Sequence, residues 1–215
     1  MIYYNLGEGV EAFSTNRGDS LPYNVIQGHQ VHDDRIAVIT SPLTTRDDLE
    51  GYDAFITSLT GCAIGARTAD CVPILLYDSK RRVVAAVHSG WKGTVKRISQ
   101  KTIRKLISDF DTNPSDLRAV IGPSISVDAF EVGEEVVSAF LNANFPNDIV
   151  VREGYVKPHI DLWKANRWLL EEMDVRPENI HVEGICSYAN HDVLNSARWE
   201  HNSKTDRTIN AICLL

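Results

Sequence analysis

Short apolar runs separated by polar segments recur along the chain, and they predict β-strands. Two of these runs, Val72–Tyr77 and Val83–Val87, flank the segment Asp78-Ser79-Lys80-Arg81-Arg82. Because Asp and Ser followed by cations are typical of turns, the three segments together predict a β-hairpin. The same pattern predicts further strands at Val25–Ile26, Ile36–Thr40, Cys62–Ala66, Ala119–Ile121, Ile180–Ile185 and Thr208–Cys213.

Three longer segments carry apolar residues at helical spacing. They are Thr94–Phe110, Glu134–Leu141 and Leu162–Met173, the last with Asp161 as an N-cap. The strands and helices do not alternate regularly, so we expect an α+β fold rather than a doubly wound one. It would be a layered mixed β-sheet sandwich with flanking helices. No repeat or linker interrupts the sequence, which predicts a single domain over residues 1–215.

Composition and charge narrow the functional classes. The apolar share is 43% and the charged share is 24%, a composition that is ordinary for a globular protein. The formal net charge is −7, and this negative charge disfavours nucleic acids and anionic membranes as partners. No apolar run approaches the about 20 residues that a membrane-spanning helix needs. Residues Met1–Asn5 lack the features of a signal peptide, so we expect a cytoplasmic protein whose cysteines are thiols.

The predicted hairpin brings a thiol and an imidazole together. If it is centred on Ser79-Lys80, paired residues have numbers that sum to 159, and Cys71 faces His88. Opposed side chains in an antiparallel pair lie roughly 4.5–5.5 Å apart at Cβ. The two groups could share a metal ion or form a thiolate–imidazolium dyad. Pro73 cannot donate to a ladder, so we expect this end of the strand to be irregular or at a sheet edge.

A third ligand is available in the segment Gly28-His29-Gln30-Val31-His32. In a strand His29 and His32 would point to opposite faces, so at most one can join Cys71 and His88. Three protein ligands with one open position are typical of catalytic zinc. The segment Ser89–Thr94 is predicted to be a β-to-α turn with Thr94 as the N-cap, although its glycines and Lys92 could also hold an anion.

Several motifs resemble one family, and together they extend over most of the chain. The motifs T-A-D-C-x-P and H-x-G-W-[KR]-G are highly specific in combination. The sequence resembles the laccase-domain family, also called the multicopper polyphenol oxidoreductase family, which includes purine nucleoside phosphorylases. The matching segments are Gln30-Val31-His32, Arg67–Leu76, Ala86–Thr94, Ile121–Ile125, Phe130-Glu131-Val132, Ile160-Asp161-Leu162 and Gly184-Ile185-Cys186.

The resemblance implies a zinc site at His32, Cys71 and His88. It implies phosphorolysis of adenosine, inosine and methylthioadenosine, hydrolytic deamination of adenosine, and a fold similar to that of a bacterial toxin deamidase. The partners would be purine nucleosides and phosphate, for a monomer or small homo-oligomer. Two alternatives stay open: a Cys–His hydrolase of the peptidoglycan-precursor editing type, and a copper-dependent phenol oxidase. The oxidase is disfavoured because the chain has seven histidines and no His-x-His pair.

Other residues receive candidate roles beside the triad. Asp70 and Glu131 are candidates for the general acid, and Asp70 could instead orient His32 or His88 through the free ring N–H. The indole ring of Trp91 could stack on a purine, and the cations of Arg67 and Lys92 could bind phosphate. The predicted substrate-binding residues are Gln30, Arg67, Trp91, Lys92 and Arg207.

Overall fold

We describe the chain from a computed structural model, which covers residues 1–202 and 204–215. Its β-strands are numbered in chain order. They are β1 Ile2–Tyr4, β2 Val10–Ser14, β3 Val25–Ile26, β4 Ile36–Val38, β5 Ala54–Thr57, β6 Ala63–Thr68, β7 Val72–Asp78, β8 Val83–Ser89, β9 Leu117–Ile121, β10 Val150–Val151, β11 His159–Ile160, β12 Ile180–Val182 and β13 Thr208–Leu214.

The α-helices are short and lie between the later strands. Within the described ranges, none has the length and apolar character that a membrane crossing requires. Asp161 caps the fourth helix, because its side chain accepts a hydrogen bond from the backbone N–H of Lys164 at 2.9 Å. The helices are α1 Trp91–Val95, α2 Ile98–Phe110, α3 Glu134–Asn142, α4 Leu162–Glu171 and α5 Ala197–Glu200.

Two large mixed sheets form the body of the molecule. One has the strand order β1-β2-β13-β6-β3, and the other has the order β12-β9-β7-β8-β5-β4. In the second sheet β7 pairs antiparallel with both β8 and β9, while β4 runs parallel to β5 and β12 runs parallel to β9. The hairpin β7–β8 therefore occupies the middle of the six-stranded sheet.

The alternating side chains of β7 show how the layers pack. Ile74 and Leu76 belong to the apolar core that also contains Leu106 and Leu169 of the helices. Leu75 and Tyr77 point the other way, into the core that the six-stranded sheet shares with the five-stranded one. A helical layer, the six-stranded sheet and the five-stranded sheet thus lie on top of one another. The predicted α+β sandwich with flanking helices is confirmed.

One predicted helix divides in two. The pattern over Thr94–Phe110 predicts a single helix, whereas the structure has α1 and α2 with Arg97 between them in the left-handed region at φ 60°. The guanidinium of Arg97 binds Glu172 at 2.8 Å and the carbonyl of Ala143 at 3.0 Å, contacts that a sequence pattern cannot reveal. The helical segment also starts earlier than predicted, with Gly90 rather than Thr94 at the N-cap.

The predicted hairpin is present, but its register differs by two residues. His88 is opposite Pro73, so Cys71 lies just before the strand rather than across from His88. The turn is centred on Lys80-Arg81, where the Asp78 carboxylate accepts hydrogen bonds from the backbone N–H groups of both residues. A shift of two residues preserves the face on which a side chain lies. Of the two alternatives predicted for this end of the strand, the sheet edge is wrong, because β7 is central. The irregular end is present, because Cys71 lies outside the strand and follows Asp70 at φ 86°.

Candidate metal centre

The buried end of the site is a contact between two neighbouring strands. His88 is the penultimate residue of β8, and Asp53 precedes β5, which pairs with β8 in an antiparallel register. The His88 backbone N–H donates to the Asp53 carbonyl at 2.8 Å, and its ring Nδ1 lies 2.7 Å from Asp53 Oδ1. Since a carboxylate accepts, Nδ1 carries the proton and Nε2 is left for another partner. Both side chains are buried, with 3% and 0% exposure.

The same carboxylate holds the loop that carries His32. Asp53 Oδ1 accepts a hydrogen bond from the His32 backbone N–H at 3.0 Å, and Oδ2 accepts from Val31 and Asp33 at 3.1 and 3.0 Å. His32 itself adopts a left-handed conformation at φ 62°, which a non-glycine residue rarely adopts without support. The three backbone donors supply that support, so one buried acid positions two histidines.

Cys71 reaches the histidines from the turn before β7. Asp70 has φ 86°, and this left-handed residue turns the chain just before the thiol. Donor atoms of His32, Cys71 and His88 all lie within 4.8 Å of one another, and the two imidazole rings are 4.8 Å apart. A Cβ at Gly90 would lie 2.9 Å from the Cys71 sulfur, so only glycine leaves this space open. The cluster could hold a metal ion.

The electrostatics of the cluster favour a thiolate beside an imidazolium. Burial raises the pKa of Cys71, but the charge of His88 and hydrogen bonds with His32 and His88 outweigh it and lower the pKa to about 6. Burial lowers the pKa of His88, but Cys71 and the hydrogen bond to Asp53 raise it to about 9. The pKa of Asp53 stays below its ordinary value despite burial, because it accepts from His88 and the loop.

The cluster opens into a cavity of about 380 Å³. His32 is exposed, Cys71 is partly buried and His88 is buried, so a ligand would approach from the side of His32. The remaining walls come from the loop before His32, from the loop that ends at Arg46, from β6 and the residue after it, from the start of α5, and from the segment between α5 and β13. The residues that line the cavity are Gly28, Gln30, His32, Arg46, Arg67, Ala69, Cys71, His88, Ala197, Lys204, Thr205 and Arg207.

Of the predicted substrate-binding residues, Gln30, Arg67 and Arg207 line this cavity. The amide of Gln30 is engaged with the backbone of β6: it donates to the Arg67 carbonyl at 3.0 Å and accepts from the Arg67 N–H at 2.8 Å. Trp91 packs against the core on the helical side, and Lys92 lies over its ring. Neither Trp91 nor Lys92 lines the cavity, so the geometry does not support their predicted contact with a substrate there.

Asp70 does not orient His32 or His88, and that predicted alternative is wrong. Its carboxylate accepts hydrogen bonds from the Ser187 hydroxyl at 2.6 Å and the Arg198 backbone N–H at 2.7 Å. These contacts tie the Cys71 turn to the loop after β12 and to the first turn of α5. Glu131 forms an ion pair with Lys157 at 2.8 Å and is not among the cavity residues. A general acid at either position stays a prediction.

The sequence reasoning missed Asp53 as the group that holds His88. An acid directly before the buried run Ala54–Thr57 is a detectable signal, since an unpaired carboxylate is costly to bury. Its partner, however, depends on pairing between β5 and β8, which are far apart along the chain. His29, the alternative to His32, lies outside the cluster, with its ring 3.2 Å from the exposed Asp47.

The sequence is similar to a described family and to several known proteins. A family model described as multi-copper polyphenol oxidoreductase laccase matches residues 12–215. A purine nucleoside phosphorylase of Bacteroides thetaiotaomicron is 44% identical over 152 residues, which are 70% of this chain but only 56% of that protein. The adenosine deaminase RL5 of an unknown prokaryotic organism is 39% identical, and the match covers 89% of each chain.

Solved structures show the same fold. YlmD from Geobacillus stearothermophilus superposes with a TM-score of 0.87 at 21% identity, covering 100% of this chain and 96% of that one. The hypothetical protein YfiH from Bacillus licheniformis has a TM-score of 0.82 at 27% identity, covering 88% of this chain and 74% of that one. Because the family model covers nearly the whole sequence, the chain belongs to the multi-copper polyphenol oxidoreductase laccase family.

Proposed function

We propose that this chain is a zinc-dependent enzyme of purine nucleosides. Its reactions would be the phosphorolysis of adenosine, inosine and methylthioadenosine to a free base and a ribose 1-phosphate, and the hydrolytic deamination of adenosine. Relatives named purine nucleoside phosphorylase and adenosine deaminase support both reactions. The observation that carries the proposal is the convergence of His32, Cys71 and His88 at the wall of one cavity.

The three donors suit a zinc ion. Thiolate and imidazole are common zinc ligands, and a set of three leaves a position for substrate or water. Nδ1 of His88 is occupied by Asp53, which leaves Nε2 for the metal. When bound, zinc would act as a Lewis acid in the cavity. Thiolate and imidazole also bind copper, so the choice of zinc rests on the open three-ligand set.

The chain's own residues would prepare the site for chemistry. Asp53 holds the ring of His88 in one orientation and, through three backbone N–H groups, fixes the loop of His32. Because Asp53 and His88 are buried and already paired, little reorganisation would accompany substrate binding. Gln30 positions this loop against β6 through its two hydrogen bonds with Arg67.

A metal-free Cys–His hydrolase is the second candidate. It is favoured by the lowered pKa of Cys71 and the raised pKa of His88, which together describe a thiolate nucleophile beside a cationic imidazole. In that case Asp53 would be the third member that orients the histidine. A copper-dependent phenol oxidase has less support. Within the described part of the chain, a single group of three or more His, Cys, Asp or Glu side chains has the geometry of a metal site.

The test combines metal analysis of the purified protein with mass spectrometry of its products. Adenosine, inosine and methylthioadenosine are supplied with and without phosphate. We expect about one zinc per chain, free base only when phosphate is present, and inosine from adenosine in either condition. Cys71→Ala should remove both zinc and activity. Cys62→Ala, which alters another buried thiol, is the matched control and should keep both.

Chelation separates the two candidates. If the enzyme needs zinc, a chelator abolishes turnover and added zinc restores it. If the chain is a Cys–His hydrolase, chelation leaves its activity intact while alkylation of Cys71 abolishes it. A zinc-loaded sample that converts none of the three nucleosides would overturn the proposal.

A further inference from the structure

The thiol of the candidate metal centre lies on the link between the two large sheets. β6 belongs to the five-stranded sheet and ends at Thr68, and β7 belongs to the six-stranded sheet and begins at Val72. Cys71 is the last residue of the link that joins them, and it lies outside both strands. The hydrogen bonds of the strand ladders therefore do not fix its position, and the rest of the link has to do so.

The residue before the thiol has a backbone conformation that needs support. Asp70 has φ 86°, in the left-handed region that residues other than glycine rarely adopt. Aspartate tolerates this region better than most side chains, and the conformation persists where the surrounding contacts determine it. Because Asp70 and Cys71 are consecutive, the direction in which the chain leaves Asp70 sets the position of the sulfur.

Three hydrogen bonds hold Asp70, and each comes from a different segment of the chain. The backbone N–H of Ile125, after β9, donates to the Asp70 carbonyl at 2.9 Å. The hydroxyl of Ser187, after β12, and the backbone N–H of Arg198, in α5, donate to the two carboxylate oxygens at 2.6 and 2.7 Å. Ser187 is itself buried, with 3% exposure. Segments that are distant in the sequence thus converge on one residue of the link.

Two of these segments also bind each other. Ser124 and Cys186 form an isolated parallel bridge, and the Ser187 backbone N–H donates to the Ser124 carbonyl at 3.0 Å. The residues that follow this bridge on each segment, Ile125 and Ser187, are the ones that bind Asp70. The support of the left-handed turn is therefore a paired piece of backbone and not a single mobile side chain.

We propose that Asp70 and Ser187 are positioning residues that hold Cys71 in place as a metal ligand. The inference rests on the zinc site of the proposed function and adds two residues that are not ligands. They act through the backbone: Ser187 holds the Asp70 carboxylate, the carboxylate holds the turn, and the turn places the sulfur beside the two imidazoles. Partners that orient a metal ligand typically contribute about 10- to 100-fold to metal affinity.

Zinc affinity, measured against a competing chelator, tests the inference in Asp70→Gly and Ser187→Ala. Glycine adopts a positive φ without strain, so a loss in Asp70→Gly reports the missing carboxylate contacts and not a strained backbone. The affinity should fall by about 10- to 100-fold in Asp70→Gly. It should fall by about fivefold or more in Ser187→Ala, which removes one hydrogen bond to a carboxylate. Ser187→Thr keeps the hydroxyl and should restore most of the affinity.

Two further measurements separate positioning from a general loss of stability. Thr57→Val is the matched control, because it removes a buried hydroxyl that donates to the Ile39 carbonyl at 3.0 Å. Thr57 lies at the far end of β5 from His88, and this variant should keep its zinc affinity. Cobalt in place of zinc gives a charge-transfer absorption band with the thiolate of Cys71. The band should weaken or shift in Asp70→Gly and Ser187→Ala, while circular dichroism stays that of the wild type.

Three results would overturn the inference. The first is wild-type zinc affinity in both Asp70→Gly and Ser187→Ala; if Asp70→Gly does not fold, Ser187→Ala alone decides. The second is an equal loss of affinity in Thr57→Val, because removal of any buried hydroxyl would then be sufficient. The third is an unchanged cobalt band in the variants, because the thiolate would then be in its original place.

Metal binding needs no turnover, which keeps this inference separable from the proposed function. If the protein converts no nucleoside but the variants lose zinc affinity as expected, the positioning role stands and the nucleoside reactions fail. If nucleosides are converted and the variants bind zinc as the wild type does, the function stands and the positioning role fails.

Discussion

Asp53 Oδ1 lies 2.7 Å from His88 Nδ1, and the two residues sit directly across from each other at the ends of neighbouring antiparallel strands. The same carboxylate accepts three backbone hydrogen bonds from the loop that carries His32. One buried acid therefore supports two of the three candidate metal ligands. The predictions below follow from this arrangement and from the space around Cys71.

Asp53→Asn should weaken metal binding by about 10- to 100-fold, the effect typical of removing a partner that orients a metal-bound histidine. An amide keeps the shape of the side chain but has lost the negative charge and one acceptor, so His88 and the His32 loop lose part of their support. The measurement is a zinc titration against a competing chelator. Asp47→Asn, at the exposed partner of His29, is the control, and an equal affinity in both variants would contradict the assignment.

Gly90→Ala should lower the metal content without unfolding the protein. The added Cβ would lie 2.9 Å from the Cys71 sulfur and 3.1 Å from His32 Cδ2, so the ligands must move apart. At Gly93 an added Cβ meets its nearest neighbour, Ile98 Cγ2, at 3.4 Å, which makes Gly93→Ala a control in the same segment. Metal analysis and circular dichroism of the two variants check the prediction. Full metal content in Gly90→Ala would show that the space is not needed.

In the metal-free protein, alkylation of Cys71 should follow the pKa of about 6 that its neighbours produce. Since only the thiolate reacts, the rate should rise as the pH passes through about 6, whereas an ordinary thiol reacts at higher pH. The rate should then stay level until the pH nears about 9, where His88 loses its proton. His88→Gln should move the midpoint upwards. Iodoacetamide labelling at each pH, located by peptide mass spectrometry, measures the profile.

A midpoint near 8.5 for Cys71 in the wild type, the ordinary cysteine value, would mean that His88 does not stabilise the thiolate. Cys62 and Cys213 act as internal controls in the same digest. Burial raises the pKa of both thiols, so they should remain unlabelled at neutral pH.

Asn166→Ala should destabilise the protein by about 1–3 kcal/mol, because it removes the buried hydrogen bonds that the Asn166 amide makes with two hydroxyl groups. Asn166 of α4 accepts a hydrogen bond from Ser89 at 2.7 Å and donates to Thr94 at 3.2 Å, and so joins the end of β8 to α1. Denaturant unfolding measures the change. Asn142→Ala, at the exposed end of α3, should leave the free energy of unfolding nearly unchanged. Equal midpoints for the two variants would contradict this role.

Local patterns were sufficient to predict most of the elements. Val72–Tyr77 and Val83–Val87 are apolar throughout and separated by turn residues, so the hairpin follows from the sequence alone. Its exact register does not, because the turn is centred one residue later than predicted, where the Asp78 carboxylate binds the backbone N–H groups of Lys80 and Arg81. The short strands β1, β2 and β5 were not predicted. Each is only three to five residues long. β2 and β5 depend on pairing with β13 and β8, which are distant in the sequence, and β1 pairs only with β2.

The sequence by itself determined the chemical character of the site, because its motifs contain the two imidazoles and the thiol. This chemical character does not depend on the distances between the three groups. It also determined the face of the sheet on which Cys71, just before β7, lies. A shift of two residues in the register of the hairpin preserves the direction of a side chain. Only the tertiary structure decided which acid supports His88 and which arginines share the cavity. Asp53 acquires its role, and Arg46 its place in the cavity wall, only when the two sheets and their loops pack together.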